Sequence, residues 1–330
     1  MENCGRKRKL IIQIPCLNEA KTLGIALAEL PRSVPGIDKV EILIVDDGST
    51  DDTVEVARAA GVDHIVRHST NLGLARAFMT GLAASLELGA DIIVNTDADN
   101  QYRASDIPAL VAPILEGRAE YVIGTRPIAG IEHFSPVKKF LQKLGSSVVR
   151  RISGTRVEDA PSGFRALSRD AAMRMNVFNR YTYTLETIIQ AGYKNIPIVC
   201  VPVGVNADLR PSRLVKSIPR YIQRSIFTMI RIFVVYRPFK FFFSIGTVFF
   251  LAGFLIGCRF LYYYLSGQGG GKTQSLILAA ILMLMGAISG MLAFMADLQS
   301  VNRQLLEEIQ YRQRREMFDR SGKAGERDGQ

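Results

Sequence analysis

The sequence predicts an α/β fold, a mostly parallel sheet domain that is followed by an interfacial basic helical segment and a two-helix transmembrane hairpin. Three observations predict it. Short apolar runs alternate with helical stretches in the N-terminal part of the chain, a basic segment follows them, and two long uncharged runs come near the end. Strands that are apolar throughout are typical of parallel sheets with both faces covered. Such sheets bind ligands beyond the carboxyl ends of their strands.

Each predicted strand is a run rich in Ile and Val, and each predicted helix has apolar residues at helical spacing. We expect strands at 10–14, 40–45, 63–67, 91–96 and 121–124. The helices that separate them include 19–30, 53–60 and 74–88. Because a helix crosses over between parallel strands, the carboxyl ends of these strands should meet at one edge of the sheet.

Two uncharged runs are long enough to cross a bilayer as helices. Residues 241–258 and 275–296 contain 18 and 22 residues without a charge. At about 1.5 Å per residue, these runs reach roughly 27 to 33 Å. Buried core helices are the alternative, but uncharged runs of this length are uncommon in soluble domains. The apolar run at 10–14 is too short for a cleavable signal, so we expect the N-terminal domain to stay in the cytosol.

The distribution of basic residues predicts the orientation. The segment 210–240 has eight basic residues and no acidic one, whereas the loop 266–274 has only Lys272. Basic segments stay on the cytosolic side. We therefore expect a multi-pass protein of the inner (cytoplasmic) cell membrane with its N-terminal domain and both termini in the cytosol. The formal net charge of +10 comes mostly from this segment, which favours a membrane lipid surface over nucleic acid as the partner.

These patterns divide the chain into five parts. The N-terminal α/β domain covers 1–209, and a basic amphipathic juxtamembrane segment covers 210–238. The two spans are predicted at 239–265 and 275–297. A cytosolic tail, disordered at its Gly-rich and charged end, covers 298–330.

Acidic or amide side chains follow three of the predicted strands. They are Asn18 and Glu19 after the first strand, Asp46 and Asp47 after the second, and the triplet Asp97-Ala98-Asp99 after the fourth. Two carboxylates that are one small residue apart suit Mg²⁺ or Mn²⁺, the usual partners of a nucleotide diphosphate. The triplet alone also fits a solvated turn or a helix cap. Three such loops at one edge favour a binding site.

The motifs together resemble the family 2 glycosyltransferases with the GT-A (Rossmann-like) fold, in that family's order and spacing. They are Pro15-x-x-Asn18-Glu19, Asp46-Asp47-Gly48-Ser49-Thr50-Asp51, Asn71-x-Gly73-x-x-x-Ala77, Asp97-Ala98-Asp99, Gly124-Thr125-Arg126 and Asp159-x-x-Ser162-Gly163-Phe164-Arg165. The domain, the basic segment and the two spans are similar to the polyprenyl-phosphate glycosyltransferases of the dolichyl and undecaprenyl types. The chain departs from many of them at Arg210-Pro211-Ser212-Arg213, where they have Gly-x-Ser-Lys.

The resemblance implies an enzyme that moves a sugar from a nucleotide-diphosphate sugar to a polyprenyl phosphate, with inversion. The lipid phosphate oxygen is the nucleophile. The implied metal ligands for Mg²⁺ or Mn²⁺ are Asp97 and Asp99, of which Asp99 is also counted as catalytic. The implied contacts of the nucleotide sugar are Pro15, Asn18, Glu19, Asp46, Asp47, Asp97 and Ala98.

The resemblance also assigns residues to the acceptor. Asp159 matches the family's acidic position before Ser-Gly-Phe-Arg, and it is the candidate base or acceptor-positioning residue, with its neighbour Glu158 as the alternative. A lipid phosphate calls for guanidinium and ammonium groups, because the former engage phosphate with two hydrogen bonds. The predicted lipid-phosphate contacts are Arg126, Arg165, Ser162, Arg213, Lys138 and Lys139.

Other classes of protein fit the sequence less well. A processive polysaccharide synthase would need Gln-x-x-Arg-Trp and more spans, and the chain has no Trp. A sugar nucleotidyltransferase would have a Gly-rich phosphate loop near its start, whereas 10–23 contains no Gly. A non-catalytic membrane scaffold with a retained sugar-nucleotide domain stays open as the alternative function. Small-residue motifs in the spans allow contacts within the hairpin or in a homo-oligomer; they begin at Gly253 and Gly286.

Overall fold

The structure is a computed structural model, and it describes residues 7–126, 146–147, 149–151, 153–177, 183–206, 227, 230–231, 233–267, 271 and 273–327. The chain forms two compact units. The first consists of Met1–Ser225 together with Glu308–Gln330, and the second of Ile226–Glu307.

The first unit is built on a single mixed sheet. Its strands are β1 (Lys9–Cys16), β2 (Lys39–Asp46), β3 (His64–Arg67), β4 (Ile92–Asn95), β5 (Tyr121–Thr125), β6 (Arg165–Ser168) and β7 (Ile198–Pro202). Their order across the sheet is β3-β2-β1-β4-β6-β5-β7. Only β6 runs antiparallel to its neighbours, and the other pairings are parallel. The mostly parallel sheet is confirmed.

Helices cover both faces of the sheet. They are α1 (Ala20–Glu29), α2 (Thr53–Ala59), α3 (Leu74–Glu87), α4 (Ile107–Leu115), α5 (Arg169–Arg174) and α6 (Thr184–Tyr193). On β1, Leu10, Ile12 and Ile14 belong to the core that includes residues of α1 and α4. The intervening Gln13 faces α3 and donates a hydrogen bond to Phe78 O at 3.4 Å. This two-sided burial explains why the strands are apolar throughout.

Two strands, β6 and β7, are missing from the sequence prediction. β6 begins with Arg165, a charged residue that is fully buried, so its composition does not match an apolar strand. Because β6 is antiparallel to β4 and β5, its first residue lies at the edge where those strands end. The segment 159–165 is thereby brought to the same edge as the acidic triplet.

Among the described residues of the second unit, two helices are long and apolar enough to cross a membrane. They are α7 (Pro238–Leu265) and α8 (Thr273–Arg327). Apolar side chains on both helices are exposed, for example 68% of Leu255 and 69% of Met291, which leaves apolar surface for lipid. α8 continues beyond the predicted end of the second span. It is helical as far as Arg327. The composition of 321–330, in contrast, predicts disorder for this end of the chain.

Glycines allow α7 and α8 to pack closely. A Cβ atom on Gly246 would lie 2.9 Å from Gly286 O, and one on Gly253 would lie 2.7 Å from Ala279 O. Gly246 meets Gly286, whereas Gly253, further along α7, meets Ala279, which comes earlier on α8. The two helices therefore run antiparallel and form a hairpin. Of the predicted small-residue positions, Gly253 and Gly286 make these contacts, whereas a Cβ atom on Gly290 would meet no other atom within 4 Å.

Replacing Gly286 with Val should separate the helices, because its Cβ would lie 2.8 Å from Gly246 O and 2.8 Å from the Cβ of Phe250. Overpacking of this kind costs about 1–3 kcal/mol. We expect the detergent-purified variant to melt about 2–10 °C below the wild type. Gly290→Val is the matched control and should melt close to the wild type. Equal losses in the two variants would contradict the close packing.

Candidate active site

The residues predicted to bind the substrates lie on loops at one edge of the sheet. β1, β2 and β4 are parallel neighbours, so the loops that carry Glu19, Asp47 and Asp97 leave from the same edge. β5 ends at this edge, and Arg126 follows it. The antiparallel β6 begins there, six residues after Asp159. The topology therefore brings the donor and acceptor motifs together.

The carboxylate of Asp97 lies against the backbone of Gly163. A Cβ atom on Gly163 would lie 2.7 Å from Oδ2 and 2.9 Å from Oδ1 of Asp97, so any larger residue would displace the carboxylate. Burial, followed by the charge of Asp99, raises the pKa of Asp97 to about 7, although Arg126 and Arg165 act in the opposite direction. The glycine thus makes room for an acidic group in a place that disfavours its charge.

The two carboxylates of the triplet fit a divalent metal. Burial and the charge of Asp99 disfavour the negative charge of Asp97 and raise its pKa, and hard cations such as Mg²⁺ and Mn²⁺ bind carboxylate oxygens. Over the described part of the chain, no group of three or more His, Cys, Asp and Glu residues is placed to hold a metal. Asp97 and Asp99 would therefore be joined by oxygens of the nucleotide diphosphate and by water.

A buried polar network holds Gly163 in place. Asn95 Nδ2 donates to Gly163 O at 2.9 Å, and Gly163 N donates to Tyr102 Oη at 3.0 Å. Asn95 Nδ2 also donates to Tyr183 Oη at 2.8 Å, while Asn95 Oδ1 accepts from Gln13 Nε2 at 2.9 Å. The sequence motifs did not predict the four side chains of this network, which are Gln13, Asn95, Tyr102 and Tyr183. Their signal is the presence of Gln13 and Asn95 at paired positions in otherwise apolar strands.

Arg165 braces the loop that carries Gly163. Its Nε donates to Ser162 O at 2.6 Å, and its Nη2 donates to Ala160 O at 2.8 Å. Its Nη1 donates to Thr184 O at 2.9 Å and to Thr187 Oγ1 at 2.7 Å. The side chain is fully buried, as is that of Ser162. A buried guanidinium needs such partners. These internal partners occupy Arg165, and its contact with the lipid phosphate stays a prediction.

Arg126 and Asp159 form a bidentate ion pair. Arg126 Nε lies 2.7 Å from Asp159 Oδ2, and Nη2 lies 3.0 Å from Oδ1. Asp159 is fully buried, whereas Arg126 is 9% exposed. The guanidinium carbon of Arg126 lies 5.8 Å from the centre of the Tyr102 ring, and Nη1 donates to Gln101 Oε1 at 3.4 Å. The carboxylate of Asp159 therefore fixes the direction of the Arg126 guanidinium.

The turn after β1 is fixed to the turn after β2. Asn18 has a φ of 55°, a conformation that Asn tolerates better than most residues. Its Oδ1 accepts from Thr50 N at 2.8 Å. Glu19 is 9% exposed, and its Oε2 accepts from Thr22 Oγ1 at 3.0 Å. Pro15 lies inside β1.

The two aspartates at the carboxyl end of β2 hold loops in place: Asp46 is the last residue of the strand, and Asp47 follows it. Asp46 is fully buried, its Oδ1 accepts from Ser49 N at 3.1 Å, and its Oδ2 lies 3.1 Å from Arg67 Nε. Both carboxylate oxygens of Asp47 accept from the consecutive backbone amides of residues 72–73, at 2.9 and 2.8 Å. Internal donors thus occupy both oxygens of Asp47, and its contact with the nucleotide stays a prediction.

Several predicted residues cannot be placed in the site. Lys138, Lys139 and Arg213 lie outside the described residues, as does most of the segment 210–238. Ala98, between the two carboxylates, is 4% exposed and belongs to the core of the first unit.

Comparison with known proteins identifies the family. A family model described as Glycosyl transferase family 2 matches residues 11–175. The match extends from β1 to the end of α5, and it includes the acidic triplet and the Arg126–Asp159 pair. The chain belongs to glycosyltransferase family 2.

Similar proteins include enzymes named for lipid-phosphate acceptors. The UDP-N-acetylglucosamine–dolichyl-phosphate N-acetylglucosaminyltransferase of Methanococcus voltae is 31% identical over 212 residues, which cover 58% of this chain and 82% of that protein. The undecaprenyl-phosphate mannosyltransferase of Micrococcus luteus is 30% identical over 217 residues, which cover 62% of this chain and 87% of that protein.

A solved structure supports the fold. The glucosyl-3-phosphoglycerate synthase of Mycobacterium tuberculosis, in complex with Mn²⁺, UDP and glucosyl-3-phosphoglycerate, superposes with a TM-score of 0.53. It is 24% identical, and the superposition covers 67% of this chain and 80% of that chain. At this identity the likeness shows the fold alone.

Replacing Gly163 with Ala should push the carboxylate of Asp97 out of position. A shift of about 1 Å at a catalytic centre lowers the rate about 100-fold, and we expect sugar transfer to fall by about 10- to 100-fold. Gly24→Ala is the matched control, since its Cβ would meet Val56 Cγ1 at an ordinary 3.7 Å. Full activity of Gly163→Ala would contradict the assignment of Asp97.

Replacing Asp97 with Asn should stabilise the metal-free protein. The pKa of Asp97 is raised to about 7 in the folded state, against about 3.9 in an unfolded chain, so ionisation opposes folding as the pH rises between these values. If the charge costs about 1 kcal/mol, the variant melts about 2–4 °C above the wild type at pH 8. The difference should vanish near pH 4. A lower melting temperature for the variant at pH 8 would contradict the raised pKa.

Proposed function

We propose that the protein moves a sugar from a nucleotide-diphosphate sugar to a polyprenyl phosphate, with inversion, at the cytosolic face of the membrane. The observation that carries this proposal is the meeting of two opposite charges at one sheet edge. The Asp97 carboxylate packs on Gly163, and the same loop holds Asp159 against Arg126. An acidic metal site and a fixed guanidinium suit a reaction between a diphosphate and a phosphate. The names of the similar proteins support the lipid acceptor.

The donor half of the site consists of the acidic residues. Asp97 and Asp99 would hold Mg²⁺ or Mn²⁺, which would supply positive charge to the leaving diphosphate. The charge of Glu19 contributes to the raised pKa of Asp97, so Glu19 lies near the same place. Glu19 accepts hydrogen bonds from the nucleoside. Asp47 acts indirectly, since it holds the loop 71–73 beside the site.

The acceptor half of the site is Arg126. Its guanidinium is held by Asp159 and Gln101 and stacks on Tyr102, so little side-chain entropy is lost when it binds a ligand. Guanidinium groups match the oxygens of a phosphate. The positive charge of the segment 210–238 favours binding to a lipid surface. Arg213, Lys138 and Lys139 are the further contacts that we propose for the lipid phosphate.

The transfer requires no protein base. A lipid phosphate oxygen forms a bond to the anomeric carbon while the bond from that carbon to the β-phosphate oxygen breaks, and the electron pair leaves with the nucleoside diphosphate. A phosphate monoester is already largely ionised near pH 7, so no proton must be removed. Both oxygens of Asp159 face Arg126, which favours acceptor positioning over proton abstraction for this residue. Glu158 is exposed.

The test is release of nucleoside diphosphate by the detergent-purified protein. We expect one donor among a panel of UDP- and GDP-sugars to be turned over only when both Mg²⁺ or Mn²⁺ and a polyprenyl phosphate are present. Asp99→Ala should lower turnover by about 100-fold or more, because charge stabilisation of the leaving group is lost. Asp38→Ala, at an exposed position on another loop, is the control. Nucleotide binding without turnover of any donor would instead identify a non-catalytic membrane scaffold.

A further inference from the structure

The last helix returns to the catalytic unit after the spans. The chain leaves the first unit after Ser225 and rejoins it at Glu308. Residues 308–318, here called the C-terminal clamp, contact α5 of that unit. Tyr311 Oη donates to Asp170 Oδ1 at 2.6 Å, and the guanidinium carbon of Arg174 lies 5.0 Å from the centre of the Tyr311 ring. One residue of the clamp thus engages both charged ends of the short helix.

A second residue of the clamp caps the carboxyl end of α5. Arg314 Nη1 donates to Met173 O and Met175 O, each at 3.1 Å. The last carbonyl groups of a helix have no partner within it, and a cation there also offsets the negative end of the helix dipole. Burial lowers the pKa of Arg314, which agrees with a contact that excludes water.

The apolar side of the clamp is also buried. Phe318 is only 6% exposed, and the guanidinium carbon of Arg169 lies 5.8 Å from the centre of its ring. Burial of a Phe side chain is among the larger hydrophobic contributions that one residue makes to a contact. The clamp therefore contacts α5 through the aromatic ring of Phe318 and the polar groups of Tyr311 and Arg314. Arg314 also contacts Met175, which directly follows the helix.

The helix α5 is connected through β6 to the loop that contains Asp159 and Gly163. α5 follows β6 directly, and Ser168 Oγ at their junction accepts from Ala171 N at 3.1 Å. β6 begins with Arg165, which braces the loop between Asp159 and Gly163. A displacement of α5 would therefore shift β6, and with it the loop from which Asp159 orients Arg126.

We propose that the C-terminal clamp is an intramolecular docking element that gives the catalytic unit a second attachment to the membrane-spanning part of the chain. Units joined by a single linker move relative to each other unless another contact restrains them. A second attachment raises the effective concentration of the acceptor site at the lipid surface. The clamp therefore lowers the KM for the polyprenyl phosphate, an effect that rests on the proposed function.

The test compares a clamp variant with a control on the same helix. Tyr311→Ala combined with Arg314→Ala should speed hydrogen exchange in α5 and in residues 308–318, and should raise the KM for polyprenyl phosphate about 5-fold. Binding of the nucleotide with Mn²⁺ should not change. Arg312→Ala is the control, because Arg312 is 73% exposed and pairs with Glu308 on its own helix. If the double variant does not fold, Tyr311→Phe should show a smaller rise in exchange and KM.

Two results would overturn the inference. Unchanged exchange in α5 would remove the docking contact itself. Faster exchange with a KM equal to that of Arg312→Ala would remove its role in lipid capture. If the wild type turns over no lipid acceptor, the proposed function fails, and the exchange measurement still decides whether the clamp is docked.

Discussion

The close approach of the Gly163 backbone to the carboxylate of Asp97 is the constraint on which the site depends. It requires a residue without a Cβ atom, since that atom would lie 2.7 Å from Oδ2. It also requires a fixed loop. Asn95 donates a hydrogen bond to the carbonyl oxygen of Gly163, and Tyr102 accepts one from its backbone N–H. The antiparallel β6 delivers this loop to the edge where the parallel strands end, while the buried guanidinium of Arg165 keeps it closed.

This arrangement exchanges stability for binding capacity. Burial and Asp99 raise the pKa of Asp97 to about 7, so the metal-free protein holds an acidic group in a place where its charge opposes folding. A cation compensates that charge, and binding to the folded state stabilises it by mass action. By contrast, Asp159 lies four residues before Gly163, and its buried carboxylate is neutralised by a bidentate ion pair with Arg126. One edge of the sheet thus contains an acid with a direct ion-pair partner and another acid whose charge is disfavoured.

The sequence predicted β1 to β5 because their apolar runs reflect burial on both faces, and the turns after them followed from the parallel topology. The prediction did not include β6, because a strand that begins with a buried arginine has no apolar pattern. The same ambiguity affected the site. Arg165 and Asp47 belong to motifs, but sequence alone cannot tell a charge that binds a ligand from one that internal partners satisfy. Gln13 and Asn95 did carry a signal, since polar residues at paired positions of apolar strands need each other.

The proposed function requires that Asp97 and Asp99 bind the metal of the reacting diphosphate, on the sheet edge that also carries Arg126. The most direct test is a structure of the protein with Mn²⁺ and the nucleoside diphosphate of its donor, in which anomalous scattering locates the manganese. We expect manganese bound to carboxylate oxygens of Asp97 and Asp99, with Gly163 unmoved and the Arg126–Asp159 pair intact. Manganese and nucleotide bound away from these carboxylates, or Arg126 released from Asp159, would contradict the proposed site.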